Sequence, residues 1–216
     1  MSARRGRFPA LLVRALFVPV VCSAAATTPE VVERLRELGR ASAAVTTLRA
    51  HFVQEKHVTI VRDVLRSSGT FLLDKRGRIA WEVAEPDAVR VVIREDGVFA
   101  AGKRVGADAQ GRSGESATNA KLSPLPMLEG LNGIFAGVSE ETARDFEVTF
   151  RDRDRLRLVP RARSLSAWLS AIEITLGGEA QTPQRVRLEE PGGDVTEITF
   201  SDVTVNPSLD DAAFAP

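Results

Sequence analysis

Residues 48–55 read LRAHFVQE, and apolar side chains alternate with polar ones along them. Leu48 and Phe52 fall on one side of an extended chain, whereas Arg49 and His51 fall on the other. Alternation with a period of two is typical of a strand in a sheet that has one buried face. This stretch therefore predicts an antiparallel sheet whose apolar face is covered by another part of the chain.

The same pattern recurs along the chain and predicts about ten or eleven strands. Turn signals separate them, and Asp96-Gly97 is the strongest hairpin signal. The predicted strands are residues 48–55, 69–75, 79–84, 88–95, 97–101, 145–152, 155–159, 171–176, 185–190 and 195–205. Strands and helices do not alternate regularly, so the predicted class is mainly β with an antiparallel sheet.

Helical signals are confined to three places. Thr28-Pro29 followed by an acid predicts a capped helix at the start of the domain. Apolar residues three or four apart over 122–138 predict a short apolar helix, and residues 208–214 could form one helical turn. Between them, the polar stretch 106–119 is predicted to be a mobile loop.

The N-terminus has the pattern of a secretory signal. Three arginines in residues 4–7 precede an apolar run over 10–21, and small residues follow at 23–26. We therefore expect a signal peptide over residues 1–26, cleavage near Ala24–Ala26, a single mature domain over 27–216 and a periplasmic location. An amphipathic anchor helix is the alternative.

Cys22 is the only cysteine, so lipidation is a second possibility to consider. Val21 precedes it, whereas a lipoprotein signal normally has a small residue at that position. Cleavage after Cys22 would leave the mature domain without cysteine, and no disulfide could then stabilise it.

Composition argues against several classes of protein. The 29 basic residues balance the 29 acidic residues, so the chain lacks the basic excess of a nucleic-acid binder. Removing residues 1–26 takes away four arginines and no acid, which leaves 25 basic against 29 acidic residues. No partner that is a polyanion is expected.

The sequence also lacks the motifs of catalysis. His51 and His57 are the only histidines, and six residues of strand separate them by about 20 Å, too far for one metal ion. No nucleophile elbow, phosphate-binding loop or paired-cysteine motif occurs. The charged run over 151–157 is predicted to be the solvated part of a hairpin. We expect no enzyme, no cofactor and no metal.

In their order along the chain, these segments resemble the outer-membrane lipoprotein carrier (LolA) family. Residues 48–54 are similar to its opening strand, F-x-A-x-F-x-Q. Residues 69–73, together with Trp81, are similar to its segment G-T-F-W-L…R-W-E, and residues 126–130 resemble its lid helix. The family's finish, F…N…L…F, is matched by Phe200, Asn206, Leu209 and Phe214.

This resemblance implies an incomplete antiparallel β-barrel under a lid of helices, which holds the acyl chains of a lipoprotein. It implies a monomer that receives lipoproteins from an inner-membrane ABC-type lipoprotein-releasing complex and passes them to an outer-membrane receptor. We expect the acyl chains to contact Phe52, Phe71, Leu73, Trp81, Val83, Val89, Val91 and Ile93 on the sheet and Leu125, Leu128, Leu131 and Ile134 on the lid. A closed, ordinary core would give the same alternation.

The latch of the lid departs from the family pattern. In the family, an arginine six residues before the tryptophan holds the lid. Counting back from Trp81 reaches Lys75, while Arg76 falls on the family's proline. The latch is therefore Lys75 or Arg76, on opposite faces of a strand, or these residues are a solvated turn.

Two other functions remain open at this stage. The cargo could be another acylated molecule, such as a glycolipid or a lipid-linked pigment precursor. Alternatively, the fold could serve a periplasmic sensor of lipids or lipoproteins.

Overall fold

The computed structural model describes residues 28–60, 63–105 and 137–216, and every strand pair in them is antiparallel. The strands are β1 Thr47–His57, β2 Val64–Asp74, β3 Arg78–Glu85, β4 Val89–Arg94, β5 Gly97–Ala100, β6 Lys103–Val105, β7 Phe146–Phe150, β8 Arg155–Pro160, β9 Ala171–Gly177, β10 Thr182–Glu189 and β11 Val195–Val205. The helices are α1 Pro29–Ala43, α2 Thr142–Asp145, α3 Arg163–Ser166 and the 3-10 helix Asp211–Phe214.

The described strands form one sheet in the order β6-β5-β4-β3-β2-β1-β11-β10-β9-β8-β7. β1 lies in the middle, where Phe52 pairs with Gly69 of β2 and with Phe200 of β11. β6 and β7 lie at the two ends of this order and are the edge strands. The predicted mainly-β, antiparallel architecture is thereby confirmed.

Several boundaries differ from the prediction. β2 begins at Val64 rather than at residue 69, because its first half is held by pairing with β1 and not by its own alternation. β6, α2 and α3 were not predicted, since elements of three or four residues are too short to show a period.

Three predictions concern parts of the chain outside the described residues. They are the signal peptide over 1–26, the loop over 106–119 and nearly all of the helix over 122–138. Of that helix only Gly137 and Val138 are described, and neither is helical.

The predicted first helix is confirmed. Thr28 caps α1 by accepting a hydrogen bond from the backbone N–H of Val31 at 3.4 Å, and Pro29 occupies the first turn. Leu35 and Leu38 bury the apolar side of α1 against the sheet. No helix in the described ranges has the length and apolar character needed to span a membrane.

The sheet has two different faces. We call the inner face the one that carries Phe52 and Trp81 and that packs in one core cluster with Leu35 of α1. The outer face carries a smaller cluster, in which Phe214 of the 3-10 helix packs on Leu72 and its neighbours. The 3-10 helix therefore lies on the face opposite to α1.

Charged side chains attach the 3-10 helix to the outer face. Asp74 is buried at the end of β2, and Arg76 and Arg78 both donate hydrogen bonds to its carboxylate. Arg78 also reaches Asp211 at 2.7 Å, and its guanidinium lies 4.5 Å from the centre of the Phe214 ring. Asp74 thus links the β2–β3 turn to the C-terminal segment.

Candidate functional site

Four aromatic rings meet on the inner face near the middle of the sheet. Phe52 and Trp81 have ring centres 4.0 Å apart, and Phe71 meets Trp81 edge-on at 5.7 Å. Phe200 lies 5.6 Å from Phe71 and 6.4 Å from Trp81. All four side chains are at most 5% exposed. They form a continuous aromatic surface contributed by β1, β2, β3 and β11.

Gly69 explains how rings from non-adjacent strands meet. Phe52 lies on β1 and Trp81 on β3, and the strand between them presents Gly69 opposite Phe52. Because glycine has no side chain, nothing from this position of β2 stands between the two rings. A β carbon built on Gly69 would lie 1.8 Å from the backbone oxygen of Glu82, so the position accepts only glycine.

The structure brings most of the predicted sheet residues together. Six of them are buried in the inner core cluster: Phe52, Phe71, Leu73, Trp81, Val91 and Ile93. Val83 is half-buried and packs against that cluster, whereas Val89, at the start of β4, is 41% exposed and lies outside it. The predicted lid residues Leu125, Leu128, Leu131 and Ile134 lie outside the described residues.

Strands β7 to β11 contribute as much to the inner face as strands β1 to β6. Phe200 completes the aromatic cluster, and β8 to β10 add Leu158, Ile172, Ile174 and Leu188. Sequence reasoning identified these strands but assigned them no role at the site. The alternation over 195–200 was the available signal, but it does not show that β11 lies beside β1.

One end of the inner face is polar. After Phe52, the next two β1 residues on this face are Gln54 and Lys56. Lys56 Nζ lies 2.8 Å from Oε1 of Glu190, the residue directly after β10, and both side chains are partly exposed. Gln54 Oε1 is buried, and no group in the described residues donates a hydrogen bond to it. The inner face therefore changes from apolar to polar along β1.

The two latch candidates lie on opposite faces. Lys75 Nζ donates a 2.6 Å hydrogen bond to the backbone oxygen of Ser42, in the last turn of α1. Partial burial lowers the pKa of the Lys75 ammonium. Arg76 instead binds Asp74 on the outer face, with its side chain 70% exposed. Of the two residues, Lys75 is the one that contacts a helix covering the inner face.

The outer face has a depression of about 290 Å³, but its chemistry is different. Its lining includes Glu55, Arg66 and Glu197, and Arg187 lies 2.8 Å from Glu197. Charged walls of this kind do not suit an acyl chain, because burying them against hydrocarbon would remove their hydration.

The two histidines are both exposed, and they lie on β1. Within the described residues, no group of three or more histidine, cysteine, aspartate or glutamate side chains could hold a metal ion.

Comparison with known proteins places this chain in a family. The family model described as "Outer membrane lipoprotein carrier protein LolA" matches residues 43–216. An outer-membrane lipoprotein carrier protein of Alkalilimnicola ehrlichii is 27% identical over 201 residues, which cover 88% of this chain and 81% of that protein.

Solved structures are similar at lower identity. A LolA superfamily protein of Nitrosomonas europaea is 12% identical with a TM-score of 0.46, covering 89% of this chain and 99% of that one. The MucA/MucB complex of Pseudomonas aeruginosa contains a chain 13% identical with a TM-score of 0.42, covering 85% of this chain and 59% of that one. Because the family model matches 43–216, most of the 216 residues, the chain belongs to the LolA family of outer membrane lipoprotein carrier proteins.

Proposed function

We propose that this protein is a periplasmic carrier that binds the acyl chains of lipoproteins on its inner face and moves them from the inner to the outer membrane. The aromatic cluster of Phe52, Phe71, Trp81 and Phe200 carries this proposal, together with family membership. In this role the protein binds and releases its cargo without making or breaking a covalent bond. An inner-membrane ABC-type complex would load it, and an outer-membrane receptor would unload it.

Burial of the cluster gives the carrier a way to release its cargo. A sixteen-carbon chain gains on the order of 10 kcal/mol on leaving water, at about 0.8 kcal/mol per methylene, before the costs of binding. Trp81 and Phe52 are buried by the protein's own packing, so an acyl chain that binds to them must displace part of that packing. This competition weakens net binding and lets the cargo be handed on.

Two neighbouring valines of β4 test the inner face directly. Val91 faces the inner cluster and Val92 the outer one, and each is 1% exposed. Val91→Thr and Val92→Thr each bury a hydroxyl, which we expect to lower the free energy of unfolding by about 1–3 kcal/mol. Only Val91→Thr should also weaken the binding of a palmitoylated peptide, by about tenfold in titration calorimetry.

The Val92→Thr variant is the matched control, since it carries the same stability cost on the other face. If both variants bind the palmitoylated peptide as tightly as the wild type, the inner face is an ordinary core and the proposal is wrong. Mass spectrometry of material that co-purifies with the periplasmic protein identifies the cargo. Diacylglyceryl-modified peptides would support the proposal, whereas glycolipids or polyene esters would replace the lipoprotein by another acylated cargo.

We further propose that Lys75 holds the end of α1 down over the inner face. Its ammonium donates to the backbone oxygen of Ser42, and a cation at a helix C-terminus is favourable. Lys75→Met keeps the apolar stem and removes the hydrogen bond. We expect faster hydrogen exchange near residues 42–46 and palmitoyl-peptide binding that is about threefold to tenfold tighter, because the closed state loses one hydrogen bond. Arg76→Met, on the outer face, should not change this affinity. If Arg76→Met tightens binding and Lys75→Met does not, Arg76 is the latch.

A further inference from the structure

Resting on the proposed function, we propose that Gln54 is a binding residue for the polar head of the cargo. Its carbonyl oxygen would accept a hydrogen bond from an N–H or O–H group at the point where the acyl chains are attached. Phe52 and Gln54 are successive side chains of β1 on the inner face.

Gln54 lies at the boundary between the apolar and polar parts of that face. It pairs with Ser67 of β2 on one side and with Ile198 of β11 on the other. Phe52, one inward-facing position earlier, stacks on Trp81. Phe52 and Gln54 are two residues apart on the strand, a distance of about 7 Å. An acyl chain that lies on the aromatic rings could therefore place the group to which it is attached near Gln54.

The side-chain carbonyl oxygen of Gln54 has unusual surroundings. It is buried, and no donor among the described residues hydrogen-bonds to it. Buried polar side-chain atoms in folded proteins nearly always have a partner, so an acceptor left without one requires an explanation. A donor supplied by a ligand provides that explanation.

The next inward-facing residue of β1, Lys56, is hydrogen-bonded to Glu190, and no hydrogen bond joins it to the Gln54 oxygen. Lys56 and Glu190 bind each other at 2.8 Å across β11, above Thr196, which is only 5% exposed. The ammonium of Lys56 is thus held by a carboxylate. This ion pair lies at the polar end of the inner face, and Gln54 lies on β1 between it and Phe52.

The test uses two pairs of probes with purified mature protein. The first pair is a tripalmitoylated cysteinyl peptide and its analogue methylated at the N-acyl amide nitrogen. The second pair is dipalmitoylglycerol, which has a free hydroxyl, and its methyl ether. Each pair keeps the acyl chains and removes one donor, so the two pairs distinguish an amide donor from a hydroxyl donor.

In at least one pair, Gln54→Leu should weaken the binding of the probe that has the donor by about fivefold to tenfold, which corresponds to one hydrogen bond. The affinity for the methylated analogue should stay within about twofold of the wild-type value. The pair that responds identifies the donor. The variant should melt no lower than the wild type, since it loses no internal hydrogen bond at the Gln54 oxygen. Gln184→Leu is the control; it removes an amide that contacts Thr182 and should change neither pair.

The outcomes separate this inference from the proposed function. If the wild type binds the probes and Gln54→Leu weakens both members of each pair equally, or neither member, Gln54 is not a head-group acceptor and the carrier proposal stands. If the wild type binds none of the four probes, both the carrier proposal and this inference are wrong.

Discussion

Replacing Gly69 with alanine should lower the free energy of unfolding by at least about 3 kcal/mol, or prevent folding. The added β carbon would lie 1.8 Å from the oxygen and 2.8 Å from the carbonyl carbon of Glu82. Both atoms belong to the backbone of β3, so no side-chain movement can relieve the contact. β2 and β3 would have to separate beside a bulge in their pairing. Chemical denaturation followed by tryptophan fluorescence measures the loss, because Trp81 lies in the aromatic cluster.

Gly192 provides the matched control for this substitution. It lies in the turn before β11, and a β carbon there would meet nothing within 4 Å. Gly192→Ala should therefore leave stability within about 1 kcal/mol of the wild type. Equal stability of the Gly69→Ala and Gly192→Ala proteins would contradict the close approach of β2 and β3.

The second large effect is expected for Asp74→Asn. The Asp74 side chain is 3% exposed, and Arg76 and Arg78 each reach it at 2.6 Å. The asparagine loses the charge that both guanidinium groups bind, which should cost about 2–4 kcal/mol at neutral pH. It should also loosen the 3-10 helix, because Arg78 joins Asp74 to Asp211. Urea denaturation measures the first effect, and hydrogen exchange of residues 211–214 measures the second.

The pH dependence of this effect has a definite sign. Hydrogen bonds from Arg76, followed by those from Arg78, hold the pKa of Asp74 far below its usual range. A carboxyl with a lowered pKa stabilises the fold above its unfolded pKa of about 4 and loses this contribution as the pH falls towards its folded value. The difference between wild type and Asp74→Asn should therefore shrink as the pH is lowered from 7 to 3. Asp87→Asn, in the exposed turn between β3 and β4, is the control. A difference between wild type and Asp74→Asn that stayed constant with pH would contradict the role of the Asp74 charge.

Local patterns in the sequence were sufficient for α1 and for ten of the strands, although not for all their boundaries, and six of the eight sheet residues predicted to face inward are buried in the inner core cluster. The alternation of Leu48, Ala50 and Phe52 correctly predicted a half-buried strand, and Thr28-Pro29 correctly predicted the start of α1. These features depend on neighbours one to four residues away, which periodicity and capping rules describe.

Features that depend on distant residues could not be predicted in this way. Phe200 joins the aromatic cluster because β11 pairs with β1, and nothing in residues 195–205 specifies that partner. The face of Lys75 depended on where β2 ends, since a shift of one residue reverses it. That no donor in the described residues reaches the Gln54 oxygen depends on its three-dimensional surroundings, whereas the sequence shows only a polar residue after the apolar part of a strand.

The central pairing of β1 with β11 has a consequence for folding. The first and the last strands of the described residues are neighbours, so the two halves of the sheet meet only after nearly the whole chain is available. Joining segments so far apart in sequence carries a large loop-closure entropy and slows folding. A chain that emerges N-terminus first would keep the β1 edge unpaired until β11 arrives. Because the sheet is completed so late, a chain of this topology would stay unfolded while it passes through a narrow channel in a membrane.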